Sequence, residues 1–340
     1  MRRDGYVLQR VATLQNVLLA VYKACRAGGA GGAGADRRKF LSQLQPNCEA
    51  LLRSLAAGDW TPQPFHRFIV WDPKQREIHA AHFADRVAHH ALMNVAGPML
   101  ERGATESSFA CRQGRGSLRA VAAVRHAAAR SRWFLKLDIR RYFDSVSHQI
   151  LTELLHRRFK DQGFLQTLER IINGFQKTLG HGLPIGTLTS QYLANFFLDG
   201  FDHWIQQQAC SGYARYMDDF VIFHTDQDAL ADVFQRTETW LGQQRSLRLR
   251  ESCQPQPVQN GVPFLGYRVF PGAVLLARKS RHRFTRRLKS LELSYDTGNI
   301  DALTLQQRTD ALLAFTRHAD CLRWRQRVVN ALGCNENADP

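Results

Sequence analysis

Asp218 and Asp219 are adjacent, and two apolar runs bracket them: Tyr213-Ala214-Arg215-Tyr216 before and Phe220-Val221-Ile222-Phe223 after. Short apolar runs on either side of a tight turn read as hairpin strands, so the two acids fall at a hairpin tip. Carboxylates held at such a turn can converge on a divalent cation. A third carboxylate, Asp138, closes the run Trp133-Phe134-Leu135-Lys136-Leu137 about 80 residues earlier. Hard oxygen donors of this kind can hold two metal ions. Two such ions can activate a hydroxyl and stabilise a leaving pyrophosphate, which is the chemistry of nucleotidyl transfer. An acidic turn on its own reads equally well as solvated surface, so the neighbouring elements decide between the two.

Those elements are legible as patterns. Residues 6–26 repeat apolar residues with helical period (Tyr6, Val7, Val11, Leu14, Val17, Leu18, Val21), and residues 37–57 do the same. Between them Gly28 to Ala35 form a Gly/Ala link whose simplest role is tolerance of insertion. Phe68-Ile69-Val70-Trp71, the turn Asp72-Pro73 and Lys74-Gln75-Arg76-Glu77-Ile78 predict a hairpin bearing cations. Residues 84–102, 117–130, 148–175, 188–207 and 228–245 predict helices, with Gly180 to Pro184 as a loop. His89 and His90, adjacent on a helix, point apart and suit packing or hydrogen bonding rather than a shared metal. A strand is expected around Phe264-Leu265-Gly266-Tyr267, and a basic helical region from Arg278 to about residue 332.

Composition narrows the class. The 340 residues are 44% hydrophobic, enough for a sizeable core divided into subdomains. A formal net charge of +16 exceeds what solubility needs and favours a polyanion, nucleic acid before an anionic membrane surface. No apolar run approaches the roughly 20 residues needed to span a bilayer, and Met1-Arg2-Arg3-Asp4 lacks the apolar core of a signal peptide. The seven cysteines are dispersed without CxxC spacing, against both a disulfide framework and a zinc site. A reduced, cytoplasmic protein without a membrane partner is expected.

Placed in order, these parts resemble a reverse transcriptase from about Phe65 to Leu276. The resemblance is carried by Pro73-Lys74-Gln75-Arg76, Phe83-Ala84-Asp85-Arg86-Val87-Ala88-His89-His90-Ala91-Leu92 and Phe109-Ala110-Cys111-Arg112-Gln113-Gly114-Arg115-Gly116. It continues through Leu137-Asp138-Ile139-Arg140-Arg141-Tyr142-Phe143-Asp144-Ser145, Tyr216-Met217-Asp218-Asp219 and Phe264-Leu265-Gly266-Tyr267. It implies an α+β right-hand polymerase fold, with an antiparallel palm sheet and a helical thumb. The implied parts are an N-terminal helical extension (1–60), fingers (61–132), a palm (133–272, with a fingers segment at about 148–185) and a thumb (273–340).

One segment points to a subgroup within the group II intron and retron-like superfamily. Where most prokaryotic members carry Gln-Gly-x-x-x-Ser-Pro, this chain has Ile185-Gly186-Thr187-Leu188-Thr189-Ser190-Gln191. That pattern resembles the enzymes of diversity-generating retroelements, as do Arg86 to Leu92 and Arg215 to Asp219. Those enzymes copy a template RNA with frequent errors opposite adenine, and the cDNA replaces a variable region. Ile185 offers shape where Gln would offer a hydrogen bond, and forgoing a bond of about 1 kcal/mol relaxes discrimination. The competing reading is that Ile185 is a packing residue and fidelity is set elsewhere.

The resemblance also assigns roles. Asp138 and Asp218 are the expected metal ligands, with Asp219 in support and the Ile139 carbonyl completing a site for two Mg2+ ions. Lys74 and Arg76 would clamp the dNTP triphosphate. Phe143 would exclude a ribose 2′-hydroxyl, Gly186 would let backbone approach the nucleotide, and Ser190 and Gln191 would touch template or primer. Ser190 could instead cap the following helix. Arg112, Arg115 and Arg119 would track template phosphate, and Gly266 with Tyr267 would grip the primer. Seven Lys/Arg lie between Arg278 and Lys289; among them Arg278, Lys279, Arg283 and Arg287 would hold the RNA–DNA hybrid.

Expected partners are template RNA, the hybrid, dNTPs, and an oligomeric accessory variability protein or a structured non-coding RNA. No nuclease or RNase H segment is recognisable after residue 276. Two other readings compete: a reverse transcriptase of an antiphage defence system with its own non-coding RNA, and a non-catalytic RNA-binding scaffold or splicing cofactor. The intact Asp138, Asp218 and Asp219 stand against the scaffold.

Overall fold

The computed structural model describes residues 4–27, 33–71, 75–250 and 253–333. The chain opens with helices α1 (Val7–Val11) and α2 (Leu14–Arg26) where one helix is expected. The break falls at Thr13, whose side chain accepts from Asn16 N, while the Asn16 amide donates to the Val11 carbonyl. Val17, Ala20, Val21 and Ala24 recur at helical spacing and are buried. Residues 28–32 of the Gly/Ala link lie outside the described residues; its last residues, from Ala33, already belong to α3 (Ala33–Ser42). Helix α4 (Leu44–Ala57) follows after Gln43, so 37–57 is also two helices.

The expected hairpin forms as β1 (His66–Trp71) and β2 (Gln75–Ala80), antiparallel with Val70 opposite Arg76. Helices α5 (Phe83–Glu101) and α6 (Ser117–Ala128) and strand β3 (Trp133–Asp138) fall where the patterns place them. A short α7 (Tyr142–Ser145) intervenes before α8 (His148–Arg158) and α9 (Gln162–Asn173), which divide the expected helix at 148–175. Asp161 makes that division. One of its carboxylate oxygens caps α9 at Phe164 N, 3.1 Å away, and the other accepts from Leu8 N at 2.8 Å. The expected helix at 188–207 is likewise α10 (Leu188–Phe197) and α11 (Asp199–Gln206), turned at Leu198 (φ −97, ψ 0).

Strands β4 (Gly212–Tyr216) and β5 (Asp219–His224) form the acidic hairpin, and α12 (Gln227–Arg245) follows. After the two-residue β6 (Gln256–Pro257) and one 3-10 turn come β7 (Val262–Phe264), β8 (Tyr267–Val269) and β9 (Val274–Leu276). The segment expected as one strand is therefore a hairpin that turns at Leu265 and Gly266, both at positive φ. Helices α13 (Arg278–Asp296), α14 (Ala302–Thr316) and α15 (Leu322–Gly333) complete the chain.

The molecule is a mixed helix and sheet protein in two compact units that interleave along the sequence. The first comprises Met1–Arg112, Asp138–Gln207 and Arg236–Glu251; the second comprises Gln113–Leu137, Gln208–Gln235 and Ser252–Pro340. In the first, α5 is the hub, with α1, α2 and α10 packed on it. Val87, Leu92 and Leu100 are buried there, each worth about 1.5–3 kcal/mol if fully removed from water. Gly97 allows α10 this close, since a Cβ there would lie 2.8 Å from the Tyr192 ring.

In the second unit, a four-stranded sheet of order β4-β5-β3-β6 has α6 against β4 and β5. Its β4–β5 and β3–β6 pairs are antiparallel. The inner strands β3 and β5 bury Phe134, Leu135, Leu137, Phe220, Val221, Ile222 and Phe223. A second, three-stranded antiparallel sheet has order β7-β8-β9, and α13 pairs with α14. Among the described residues no helix is long and apolar enough to cross a membrane.

Candidate active site

The β4–β5 hairpin closes on the pair Tyr216 and Asp219, leaving Met217 and Asp218 as a two-residue turn. Such turns need left-handed backbone, and Met217 supplies it at φ 57. An L side chain there is unfavourable and must be held. The clamp is Arg215, 1% exposed, whose guanidinium donates to the Met217 carbonyl at 3.0 Å. A buried cation thus fixes the turn that presents Asp218, with Asp219 beginning β5.

Asp219 is half-buried and its carboxylate pairs with the Lys136 ammonium. Lys136 also lies over the Phe264 ring, 5.4 Å from its centroid. Asp219 Oδ1, the oxygen that the ammonium meets, is buried. Asp138, the last residue of β3, belongs to the first unit. There Arg250 Nη1 stands 3.2 Å from its Oδ2, and the Arg250 N–H donates to its carbonyl at 2.9 Å. Ile139 is buried and bridges Leu249.

Among the described residues no three His, Cys, Asp or Glu side chains stand as a ready metal cage. The donor chemistry nevertheless fits a hard divalent cation. Ionised carboxylates are acceptor-only groups of the kind that hard cations take, and those of Asp219 and Asp138 are at present paired with Lys136 and Arg250.

Around the expected nucleotide side, Gly186 sits at φ +116. The positive φ favours glycine, and a Cβ there would crowd Ile78 at 3.0 Å and the His79 carbonyl at 3.4 Å. The Ile185 carbonyl accepts from His79 N at 3.0 Å, tying this loop to β2. Ile185 itself is half-buried. Phe143, on α7, is half-buried, with its carbonyl accepting from Leu183 N at 2.8 Å. Arg76 is exposed on β2, and Gln191 is half-buried on α10; Lys74 lies outside the described residues.

Ser190 differs from both expectations for it. The cap of α10 is Thr187, which accepts from Ser190 N, and the Ser190 hydroxyl is 1% exposed and bonds the Thr187 hydroxyl at 2.6 Å. Its burial makes it a brace for the loop rather than a surface for a strand. Thr189, one residue before, meets His89 Nδ1 at 3.1 Å. His89 is buried, edge-on to Trp60, and desolvation pushes its pKa down to about 4, which keeps the ring neutral.

The expected nucleic-acid residues separate into inward and outward sets. Arg112 turns inward, donating to the carbonyls of Thr105 (2.6 Å), Ser108 (2.8 Å) and Ala104 (3.4 Å), so its guanidinium folds its own loop. Arg115 is half-buried and Arg119 is exposed. Gly266 holds the β7–β8 turn at φ +85, with Ser280 Oγ 3.0 Å from its would-be Cβ. Tyr267 is 2% exposed; its hydroxyl donates to the Phe315 carbonyl at 2.9 Å, and burial raises its pKa. Its side chain is a packing element in the second unit. On α13, Ser280, Phe284 and Leu288 face inward, while Arg278, Lys279 and Arg287 are exposed and Arg283 is half-buried.

Lys136, Arg250, Thr187 and the Arg215 clamp are not among the residues expected from sequence. Lys136 carried a signal: it interrupts an apolar strand, and strand period puts it on the same face as Asp138.

A family profile described as reverse transcriptase (RNA-dependent DNA polymerase) matches residues 73–269, more than half of the chain. This chain belongs to the reverse transcriptase family. The match spans all three aspartates, and by family this reverse transcriptase is an RNA-directed DNA polymerase. Protein YkfC of Escherichia coli strain K12 is 24% identical over 300 residues, covering 74% of this chain and 77% of YkfC. The group II intron-encoded protein LtrA of Lactococcus lactis subsp. cremoris is 25% identical over 167 residues, covering 46% of this reverse transcriptase and only 28% of LtrA. Telomerase from Candida albicans, solved in complex with a TWJ fragment of telomeric RNA, aligns at TM-score 0.45 and 12% identity, covering 69% of this chain and 51% of that one.

Proposed function

We propose that this reverse transcriptase copies a template RNA into cDNA using Asp138, Asp218 and Asp219 as ligands for two Mg2+ ions, and that it does so with errors concentrated at template adenines. Residues 61–132 then serve as fingers, 133–272 as palm and 273–340 as thumb, behind an N-terminal extension. The observation that carries the catalytic part is the Met217-Asp218 turn. A strained, left-handed residue is held by a buried arginine so that one carboxylate projects and the next starts a core strand. When bound, the metal ions supply activation of the primer 3′-hydroxyl and charge neutralisation on the leaving pyrophosphate.

The protein's own groups do the positioning. Arg215 fixes the turn, and Lys136 keeps the Asp219 charge compensated. Gly186 keeps the loop backbone close to β2, and Thr187 with Ser190 and His89 with Thr189 brace that loop against α10 and α5. Arg76 and Lys74 would meet the triphosphate, and Phe143 the sugar. Ile185 supports the error-prone part: its side chain makes no hydrogen bond to the nascent pair, so shape alone constrains it. Exposed Arg278, Lys279 and Arg287 would hold hybrid phosphates, and a small accessory protein or structured RNA would complete the retroelement machinery.

The test is primer extension on an RNA template with Mg2+ and dNTPs, comparing wild type with Asp218→Ala and sequencing the products. Extension should vanish in the variant, and wild-type errors should cluster at template adenines. Ile185→Gln should lower that error frequency. Faithful wild-type products would sink the diversification reading and leave a reverse transcriptase of the defence kind.

A further inference from the structure

Strand alternation gives the β1–β2 hairpin two chemically different faces. Ile78, against which Gly186 packs, lies on one face with Arg76. Arg67, Glu77 and His79 lie on the other, Arg67 directly opposite His79 in the ladder. On that second face a cavity of about 380 Å3 opens between the hairpin base and the segment after α9. That volume is at the small end of ligand sites and suits one nucleotide-sized group.

Its lining is unusual for a protein surface. Phe65, His79 and Phe175 meet edge to face, with His79 and Phe175 centroids 4.5 Å apart and Phe65 about 6 Å from each (6.1 and 6.2 Å). His79 is 94% buried (6% exposed), and its Nδ1 has no hydrogen-bond partner. At the rim, Lys177 Nζ is 3.2 Å from Glu77 Oε2, and Arg67 is exposed beside them. Two cations and one acid leave the rim with one net positive charge. Along the same face Ile69 and Trp71 continue outward at 52% and 73% exposure, apolar surface with nothing over it among the described residues.

We propose that this cavity is a second nucleotide-binding site, separate from the site of incorporation. The base packs against the half-exposed Phe65 and Phe175 rings, Glu77 accepts from its amino edge, and Arg67 and Lys177 take the phosphate. An unpaired nucleotide of a bound RNA and a free mononucleotide share this chemistry. Ile69 and Trp71, running on from the cavity, give a strand somewhere to continue.

The test uses the full chain and two fluorescent probes, 2-aminopurine riboside 5′-monophosphate and a single-stranded RNA of about ten nucleotides carrying 2-aminopurine. Stacking quenches the fluorophore. The expected result is quenching by wild type, affinity weakened about tenfold by Phe175→Ala, and recovery in Phe175→Tyr. Quenching by RNA alone identifies a strand as the source; quenching of the monophosphate as well identifies a free nucleotide. Where Phe175→Ala fails to fold, the exposed pair Arg67→Ala/Lys177→Ala replaces it and should weaken binding and flatten its salt dependence. Equal quenching of both probes by wild type and variants would overturn the proposal. Asp218→Ala should quench like wild type, and Phe175→Ala should still extend primers, so failure of the polymerase reading and failure of this one are told apart.

Discussion

Lys136 and Asp219 form an ion pair in which the carboxylate is also the natural partner of a divalent cation. Under the proposed metal role, an ammonium and Mg2+ would compete for the same oxygens. Lys136→Met removes the competitor without removing bulk. The Mg2+ concentration for half-maximal primer extension should fall, by a factor matching a partly exposed pair worth about 1 kcal/mol. A rise would mean that the ammonium serves the reaction itself. His89 gives a second expectation. Its folded pKa is about 4, and that of His90 likewise, both lowered first by desolvation. The unfolded chain therefore binds these protons more readily, and stability from keeping the rings neutral is present above about pH 6.5 and is lost as pH falls toward 4. Denaturant midpoints measured across that window should decline, and His89→Gln should flatten the decline. An unchanged slope in the variant would show that other groups carry it.

Among the elements, the four-stranded sheet and α6 fit so closely that a Cβ on Gly212 would stand 2.5 Å from the Ala127 Cβ. Gly212→Ala should cost about 1–3 kcal/mol, the usual range for overpacking, read as a lowered urea midpoint at unchanged slope. A neutral result would mean that α6 can slide. The acidic hairpin was legible because Phe220 to Phe223 is a short apolar run ending at charged or polar neighbours, and such runs announce buried strands. The helix break at Asp161 lies in the polar run Lys160 to Gly163, a capping signal that one helix over 148–175 overran. The breaks at Thr13 and Leu198 were not legible, because apolar residues continue through both and only the Thr13 side-chain hydrogen bond and the Leu198 dihedrals stop the helix. Leu265 hid the β7–β8 turn in the same way, since a leucine at φ 48 carries no turn signature. Of the site, the carboxylates were readable from residue type and spacing. The ion pairs that neutralise them were not, because Lys136 meets Asp219, and Arg250 meets Asp138, only through tertiary pairing.

For the molecule as a whole, the +16 charge predicts strongly salt-dependent binding of an RNA–DNA hybrid. Replacing exposed Arg278, Lys279 and Arg287 by Ala should lower the slope of log K against log salt by about 0.9 for each phosphate no longer neutralised, roughly 2 to 3 in all. A filter-binding series with an unchanged slope would place the hybrid elsewhere. The interleaving of the two units along the chain has its own consequence. The first unit draws on residues as late as Glu251, and the second begins at Gln113. During synthesis neither unit can finish as its segments leave the ribosome, because the missing pieces of each are still being made. No single cut separates them either. A nick between Gln207 and Gln208 would leave both halves holding fragments of both units, so a protease that finds such a bond should destroy the whole fold rather than liberate a working part.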